Sequence, residues 1–371
     1  MTTKAALVRD ARLEDEHDVA ALFRTAEWGH PSFDIWRRQY AENPATAGRR
    51  DVAFGWVVEA EGRAVGFLRN VVHGYRYGDR DLVAAAASAL IVEPEYRGYT
   101  LRLVGAFCKQ RGVDLLLNST AAPEAAKIFE FLKFSRMPQS EYDLSLYWVL
   151  RARGFLEAAL RKKGLPPLAA GAGSRVMAPA LSAVLYMGGR RIACRETPCE
   201  VMVIDRAAID ERFDDLWKRR LEEGKRLLAC RDAKTLRWHF PPSNAAKPAR
   251  VVCAIGNGRL LGYLVLLRRD SAHLRLRRSR VGDIFVERDD PSVIRQLMCE
   301  GARQAARDGA VMLEVVGLPR SVRHVLREFR PHTLPDRCWP FLYKTDDPEL
   351  RAELPSEERW YAGLYDGDGS I

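Results

Sequence analysis

The sequence has no uninterrupted stretch of the roughly 18–20 apolar residues that a membrane-spanning helix needs. Its longest apolar runs, Leu82–Val92 and Val176–Met187, are too short. The start, MTTKAALVRDARLEDEHD, lacks an apolar leader core and turns acidic early. A cytoplasmic protein is the expectation. Cysteine occurs at 108, 194, 199, 230, 253, 299 and 338, never as C-x-x-C. That excludes a patterned zinc site or a disulfide framework and predicts reduced, mostly buried thiols. The seven histidines are dispersed and form no H-E-x-x-H or similar ligand spacing, so no metal is expected. There is no G-x-S-x-G elbow and no Ser/His/Asp arrangement, so nothing points to covalent catalysis.

What is present describes a large globular chain. It has 371 residues, 47% hydrophobic and 29% charged. A single core stops growing at roughly 250–300 residues, so two domains are expected. The net charge of +10 favours anionic partners as a class, while a plain solvated basic surface is the alternative.

The chain reads as two similar halves. Residues 15–27 and Phe33–Tyr40 have helical periodicity. The runs Phe54–Ala60 and Ala64–Val72, joined at Glu61-Gly62-Arg63, read as a hairpin. The Ala-rich run Leu82–Val92 reads as a strand in its second half. After the Pro94–Gly98 loop, Leu101–Gln110 is an amphipathic helix, Val113–Leu117 a buried strand, Pro123–Lys133 a helix and Tyr142–Leu150 a closing strand. Residues 151–195 are rich in Gly, Pro and Ala with basic flanks. They read as a connector with short helices around Phe155–Lys162 and Ala180–Met187. The first half is then echoed: Phe33–Tyr40 by Lys234–Phe240, Val57–Leu68 by Val252–Leu264, and Ala89–Pro94 loosely by Asp283–Arg288. A helix at Ser292–Arg307 and a strand at Val311–Val316 follow in the same order.

Chemistry concentrates in Ala89–Cys108. A strand turning into a helix leaves backbone N–H groups unpaired at the helix start, and with the helix dipole these suit a pyrophosphate. Arg97 adds charge, and Gly98 allows close approach. A merely structural turn is the alternative.

The run V-E-P-E-Y-R-G at Val92–Gly98 resembles the V-x-P-x-Y-R-G-x-G coenzyme A loop of the GNAT (GCN5-related N-acetyltransferase) superfamily. The order of flanking elements is similar too, as is Ala125–Phe134 after Asn118. The resemblance covers about residues 5–150 well and 200–345 weakly. Related tandem forms occur in bacterial surface-polysaccharide contexts, and Trp360 followed by Asp366-Gly367-Asp368 resembles them. It implies an α/β (α+β) fold of two tandem GNAT-like domains, each a mixed, mostly antiparallel sheet flanked by helices. The expected divisions are 1–150 for the acyltransferase domain, 151–195 for the connector, 196–345 for a second GNAT-like domain without the coenzyme A loop, and 346–371 for a tail. The second half lacks the loop because Val286–Pro291 carries Glu287, Asp289 and Asp290, which would repel phosphate.

Carried over by position, the resemblance implies that Arg97, Gly98, Tyr99, Thr100, Leu101 and Arg102 hold the pyrophosphate of acetyl-CoA or another acyl-CoA. Leu90 and Val92 would meet the pantetheine arm, and Asn118 would lie near the cofactor. The chain departs from the family at Thr100 and Arg102, where small residues are usual, at Phe129, where a Tyr acid is common, and at Lys133. The candidate base is Glu93, with Glu59, Tyr142 and His73 as other contributors. Each has an ordinary packing or surface role as its alternative. Arg275 and Arg277, alternating with Leu274 and Leu276, suggest a strand with one basic face for an anionic acceptor, or a charge-protected edge. Trp36 and Trp238 are either core or sugar-stacking platforms.

The expected reaction is acyl transfer to an amine or hydroxyl of a small-molecule or saccharide acceptor in the cleft between the halves. One alternative is an acidic acyl carrier protein as donor. Another is a non-catalytic module that binds an anionic polymer. Nucleic acid is disfavoured, because no aromatic residues interleave the basic segment.

Overall fold

A computed structural model describes residues 5–26, 33–49, 52–190, 192, 199–242, 248–334 and 339–371. In the first half, β1 (Leu7–Asp10), α1 (Glu16–Thr25) and α2 (Phe33–Ala41) precede β2 (Gly55–Ala60), β3 (Arg63–Tyr77) and β4 (Arg80–Val92). Then come α3 (Thr100–Cys108), β5 (Leu115–Asn118), α4 (Pro123–Phe131), β6 (Ser135–Arg136) and β7 (Leu146–Val149). Two helices, α5 (Ala152–Lys162) and α6 (Pro167–Met187), lead to β8 (Glu200–Asp205), α7 (Glu211–Leu221), β9 (Leu227–Ala229) and α8 (Ala233–His239). The second half continues with β10 (Arg250–Gly256), β11 (Arg259–Arg268), β12 (Arg278–Val286), α9 (Pro291–Arg307) and β13 (Met312–Val315). It closes with α10 (Arg320–Arg327), β14 (His332–Thr333), β15 (Leu342–Lys344) and α11 (Pro348–Glu353).

The strands form two sheets, and the halves exchange strands between them. One sheet runs β1-β2-β3-β4-β5-β15-β6, with β9 added beside the far end of β3. The other runs β14-β7-β13-β12-β11-β10-β8. Tyr142–Leu150 was expected to close the first half. Instead β7 pairs antiparallel with β13 in the second sheet, while β15, from near the end of the chain, pairs with β5 in the first. Strand alternation gives no hint of this, because Leu146 and Trp148 would bury equally well against either sheet.

Strand β4 spans 13 residues, Arg80–Val92, and so includes the Ala-rich first half of the run as well as its second half. Its helix-prone Ala84–Ala87 are fully or nearly fully buried, because neighbouring strands and packing on both faces need small side chains there. The face carrying Val71, Tyr75, Leu82, Ala84 and Ala86 joins a core that includes Phe213, Trp238, Tyr263, Phe285, Tyr361 and Tyr365 from the second half and the tail. The opposite face, with Ala85 and Ala87, packs under α3 and α4. The expected tail, 346–371, is therefore a wedge in the shared core.

Within the expected connector, Ala152–Lys162 and Pro167–Met187 are two full helices. Pro167 starts α6 at a position where its missing N–H costs nothing. Helix α6 then runs 21 residues through Pro179. A methyl on Gly173 would come within 3.1 Å of Leu160, so this glycine lets α6 lie close on α5 rather than breaking it. The Arg268–Arg280 segment is also not one strand. Residues 272–275 turn between β11 and β12, Ser271 bridges Leu276, and Arg275 has φ 49°. The alternation of Leu and Arg there reflects the ends of a hairpin loop.

Candidate active site

Strands β4 and β5 run parallel and pair at Ala84–Leu115, Ala85–Leu116 and Ala86–Leu117. Beyond Ala86, among the described residues, no strand lies on that side of β4, so its last residues present an open backbone edge. A bulge sits in this stretch: Arg69 faces Ser88 and Phe67 faces Ile91, leaving one extra residue on β4. Ala89 takes the strain in the left-handed region, φ 50°. On the other side of the gap is the end of β5. Asn118 is buried and its Oδ1 accepts from the Ala121 amide at 3.1 Å.

The open edge leads to the loop singled out in the sequence. Pro94–Tyr99 winds as a 3-10 turn directly into α3. The Thr100 amide is therefore bonded to the Arg97 carbonyl and is not among the amides left for an anion at this helix start. Tyr99 is buried, and its hydroxyl accepts from the Ala6 amide at 2.9 Å. Arg97, Gly98 and Leu101 face solvent. The guanidinium of Arg102 lies over the Tyr99 ring at 4.9 Å. Among the described residues no carboxylate pairs with Arg97 or Arg102. Leu90 and Val92 are half-buried and pack toward the α3 side, and Val92 pairs with Gly66.

On the inward face of the first sheet, where the gap opens, the tail arrives. Asp368 accepts from Ser119 Oγ at 2.8 Å and from Thr120 Oγ1 at 2.6 Å. Gly367 approaches Ser119 so closely that a methyl group would overlap it. His73 on β3 lies beside the Gly367 backbone, and among the described residues its Nε2 has no partner. His239, at the end of α8, meets Ser370 Oγ through Nε2 at 2.7 Å. The two imidazole rings are 5.9 Å apart. Burial pushes His73 down to about 4, against the pull of Asp368. Burial and the neighbouring His73 and Arg231 hold His239 well below the ordinary range. Both rings are therefore neutral at pH 7. Arg69 donates to Ser88 Oγ at 3.0 Å and completes the polar lining.

Behind this cluster Arg231 is fully buried between Asp283 of β12 (Nε to Oδ2, 3.0 Å) and Asp366 of the tail (Nη2 to Oδ2, 2.9 Å). Its plane lies 4.4 Å from the Tyr365 ring centre. Burial raises Asp366 while Arg231 opposes the rise. This bridge fixes the tail, and the tail presents Asp368 and Ser370.

The sequence-derived candidates separate in space. Glu93 is engaged through both oxygens by Arg63, at 2.6 and 2.9 Å, and lies outside the histidine cluster. Tyr142 is buried, and its hydroxyl donates to the Gly363 carbonyl at 3.1 Å, so it anchors the tail. Trp36 has no exposed surface and packs edge-on to Phe54 at 4.6 Å. It is core, one of the two roles the sequence allowed it. Trp238 is 6% exposed and stands 6.3 Å, centre to centre, from His73, so it is also no open platform. Arg275 and Arg277 line a separate open cleft of about 760 Å³ with Arg151 and Arg153 at the foot of α5. Phe129 is wholly buried. The acidic run after β12 is neutralised in place: Glu287 pairs with Arg219 and Arg259, and Asp289 with Arg220 and Arg226. Among the described residues no group of three His, Cys, Asp or Glu could hold a metal ion. The sequence reading did not single out His239, Ser119, Thr120 or Ser370. Only the Trp238-His239 echo and the D-G-D of the tail signalled them.

The overall fold matches known structures. A GCN5-related N-acetyltransferase from Anabaena variabilis superposes with a TM-score of 0.58 at 9% identity, covering 92% of this chain and 73% of that one. One from Kribbella flavida gives 0.56 at 15% identity, covering 95% and 73%. The N-myristoyltransferase of Saccharomyces cerevisiae, solved with myristoyl-CoA and inhibitors, gives 0.59 at 10% identity, covering 92% and 81%. The chain has the GNAT fold, in two halves. No family profile matches the sequence, and no curated protein sequence does. At these identities the likeness is one of fold, so what the fold does here must be argued from its residues.

Proposed function

We propose that this protein is an acyl-CoA-dependent acyltransferase whose one donor site lies in the N-terminal half. The observation that carries the reading is the unpaired edge of β4 beyond Ala86, running from the buried histidine cluster to the cationic start of α3. The GNAT-fold neighbours named for N-acetyl and N-myristoyl transfer support it. In this reading Arg97 and Arg102, at the start of α3, take the pyrophosphate. The edge at Leu90 and Val92 takes the pantetheine arm, and the thioester reaches the level of Ser88 and Asn118.

The acceptor, an amine or hydroxyl of a small molecule or saccharide, comes from the face shared with the second half. Its nucleophile attacks the thioester carbonyl, the C–S bond breaks, and its proton passes to neutral His73 Nε2 and on to the departing thiolate. Nε2 has no partner among the described residues, which opens it to that role, and uncovering the ring relieves the burial that holds it at about 4 and moves it toward the range a base needs. Glu93, held by Arg63, and Tyr142, held by Gly363, suit it less. Residues 367–370 cover His73, so acceptor entry goes with a shift of this short segment.

Titration of acetyl-CoA and free coenzyme A into the protein tests the donor site. Micromolar binding weakened by Arg97→Ala is expected. A second reading, an acyl carrier protein as donor, is favoured by one observation: exposed Leu101 stands between Arg97 and Arg102, a surface suited to an acidic carrier helix. Binding of an acylated carrier without binding of coenzyme A would select it.

A further inference from the structure

The α5–α6 hairpin carries an apolar surface that the other described residues leave uncovered. Helix α6 is 21 residues, long and apolar enough by length and composition to cross a membrane, yet only 17% of its most apolar window is buried. This corrects the expectation that the apolar run ending at Met187 is too short. Arg175 and the glycines bound the apolar run in the sequence, and the helix runs through them.

The exposed residues include Leu168 (90%), Val176, Met177, Val184, Tyr186 and Met187 (76%). At about 100° per residue these six share roughly half of the helix circumference. Ala170, Ser174 and Leu185 on the opposite side are buried. A core helix hides such a face, and a surface helix of a water-exposed protein carries polar residues there.

Charge indicates what covers the face. Between Gly164 and Gly189 the only charged residue is Arg175, at the edge of the apolar arc. Residues 151–191 hold eight Lys or Arg against the single Glu157, a net +7 of the molecule's +10. Lys162 and Lys163, beside the start of α6, are exposed and pair with no carboxylate among the described residues. An apolar face flanked by unpaired cations complements an anionic lipid surface, where the apolar side enters the headgroup boundary and the cations meet phosphates. The hairpin returns to the body: Arg330 donates to the Gly188 carbonyl at 3.3 Å, and Arg151 to the Ala306 carbonyl at 2.6 Å. Helix α6 also keeps one side on α5. Both facts favour a helix lying in the interface over one spanning it.

We infer that this hairpin docks the protein on anionic membranes, with α6 lying flat in the lipid headgroup region. The inference is independent of the acyl-transfer reading. Flotation of the full chain with phosphatidylcholine vesicles, with and without phosphatidylglycerol, tests it. The wild-type chain is expected to float with the anionic vesicles only and to be released by alkaline carbonate. Val176→Asp with Val184→Asp is expected to abolish flotation at unchanged melting temperature. Lys162→Glu with Lys163→Glu is expected to weaken it about tenfold or more. Four results would overturn the inference: no flotation with either vesicle, equal flotation with neutral vesicles, resistance to carbonate, or a dimer in solution that the Val176/Val184 variant dissociates.

Discussion

Gly367 and His73 show how single residues set the site. Gly367 touches Ser119 where no side chain fits. Gly367→Ala is therefore expected to lower stability by about 1–3 kcal/mol, read as a shifted denaturation midpoint, and Ser119→Gly should restore part of it. For His73 the sign follows from its burial. The folded chain resists protonation down to about pH 4, whereas the unfolded chain takes up the proton near 6.5. Between those values the unfolded state binds more protons, so stability is complete above 6.5 and falls as pH drops toward 4. Each pH step costs about 1.4 kcal/mol, on the order of 3 kcal/mol in total. His239 adds in the same direction. Urea denaturation from pH 7 to 4.5 checks this, and His73→Gln should flatten the curve. An equally steep curve in that variant would assign the loss to other groups.

At the level of elements, the bulge in β4 separates the paired from the open part of the strand. Ala89 holds its positive φ with only a methyl group. Ala89→Val is expected to cost about 1–2 kcal/mol, while Ala89→Gly should be near neutral. Both are readable by chemical denaturation, with acyl-CoA affinity falling in the valine variant. Elements of this kind were largely legible in the sequence. Helices α1 to α4, the β2–β3 hairpin and the Pro94–Gly98 loop follow from periodicity and turn residues. The partners of the strands were not legible. β7 and β15 are short apolar runs whose exchange depends on the whole assembly, and local pattern carries no such information. Nor was α6 legible, because Gly and Pro mark breaks in exposed chains but close contact, or a first turn, when a second helix lies alongside.

Strand exchange, the shared core and the tail wedge make the two halves one folding unit. Residues 1–150 alone lack β9, β15 and the tail, and are expected to give no cooperative unfolding transition by circular dichroism. Arg231→Met removes the cation between Asp283 and Asp366. Leaving two buried carboxylates unpaired should cost about 3–5 kcal/mol, and adding Asp283→Asn with Asp366→Asn should recover part of it. This architecture also explains why the candidate site was only half visible in sequence. The donor side is one contiguous motif, Ala89–Arg102. The acceptor side gathers His73, Ser119, His239 and Asp368 from positions nearly 300 residues apart.

The central claim is a donor site at the start of α3 fed by the open edge of β4. Isothermal titration of acetyl-CoA into the wild-type protein and Arg97→Ala tests it most directly. The account predicts one site per chain, micromolar affinity and a loss of about tenfold or more on removing the phosphate-facing guanidinium. Binding that Arg97→Ala leaves unchanged would place the donor elsewhere. No binding of acetyl-CoA or coenzyme A to the folded protein would contradict the claim.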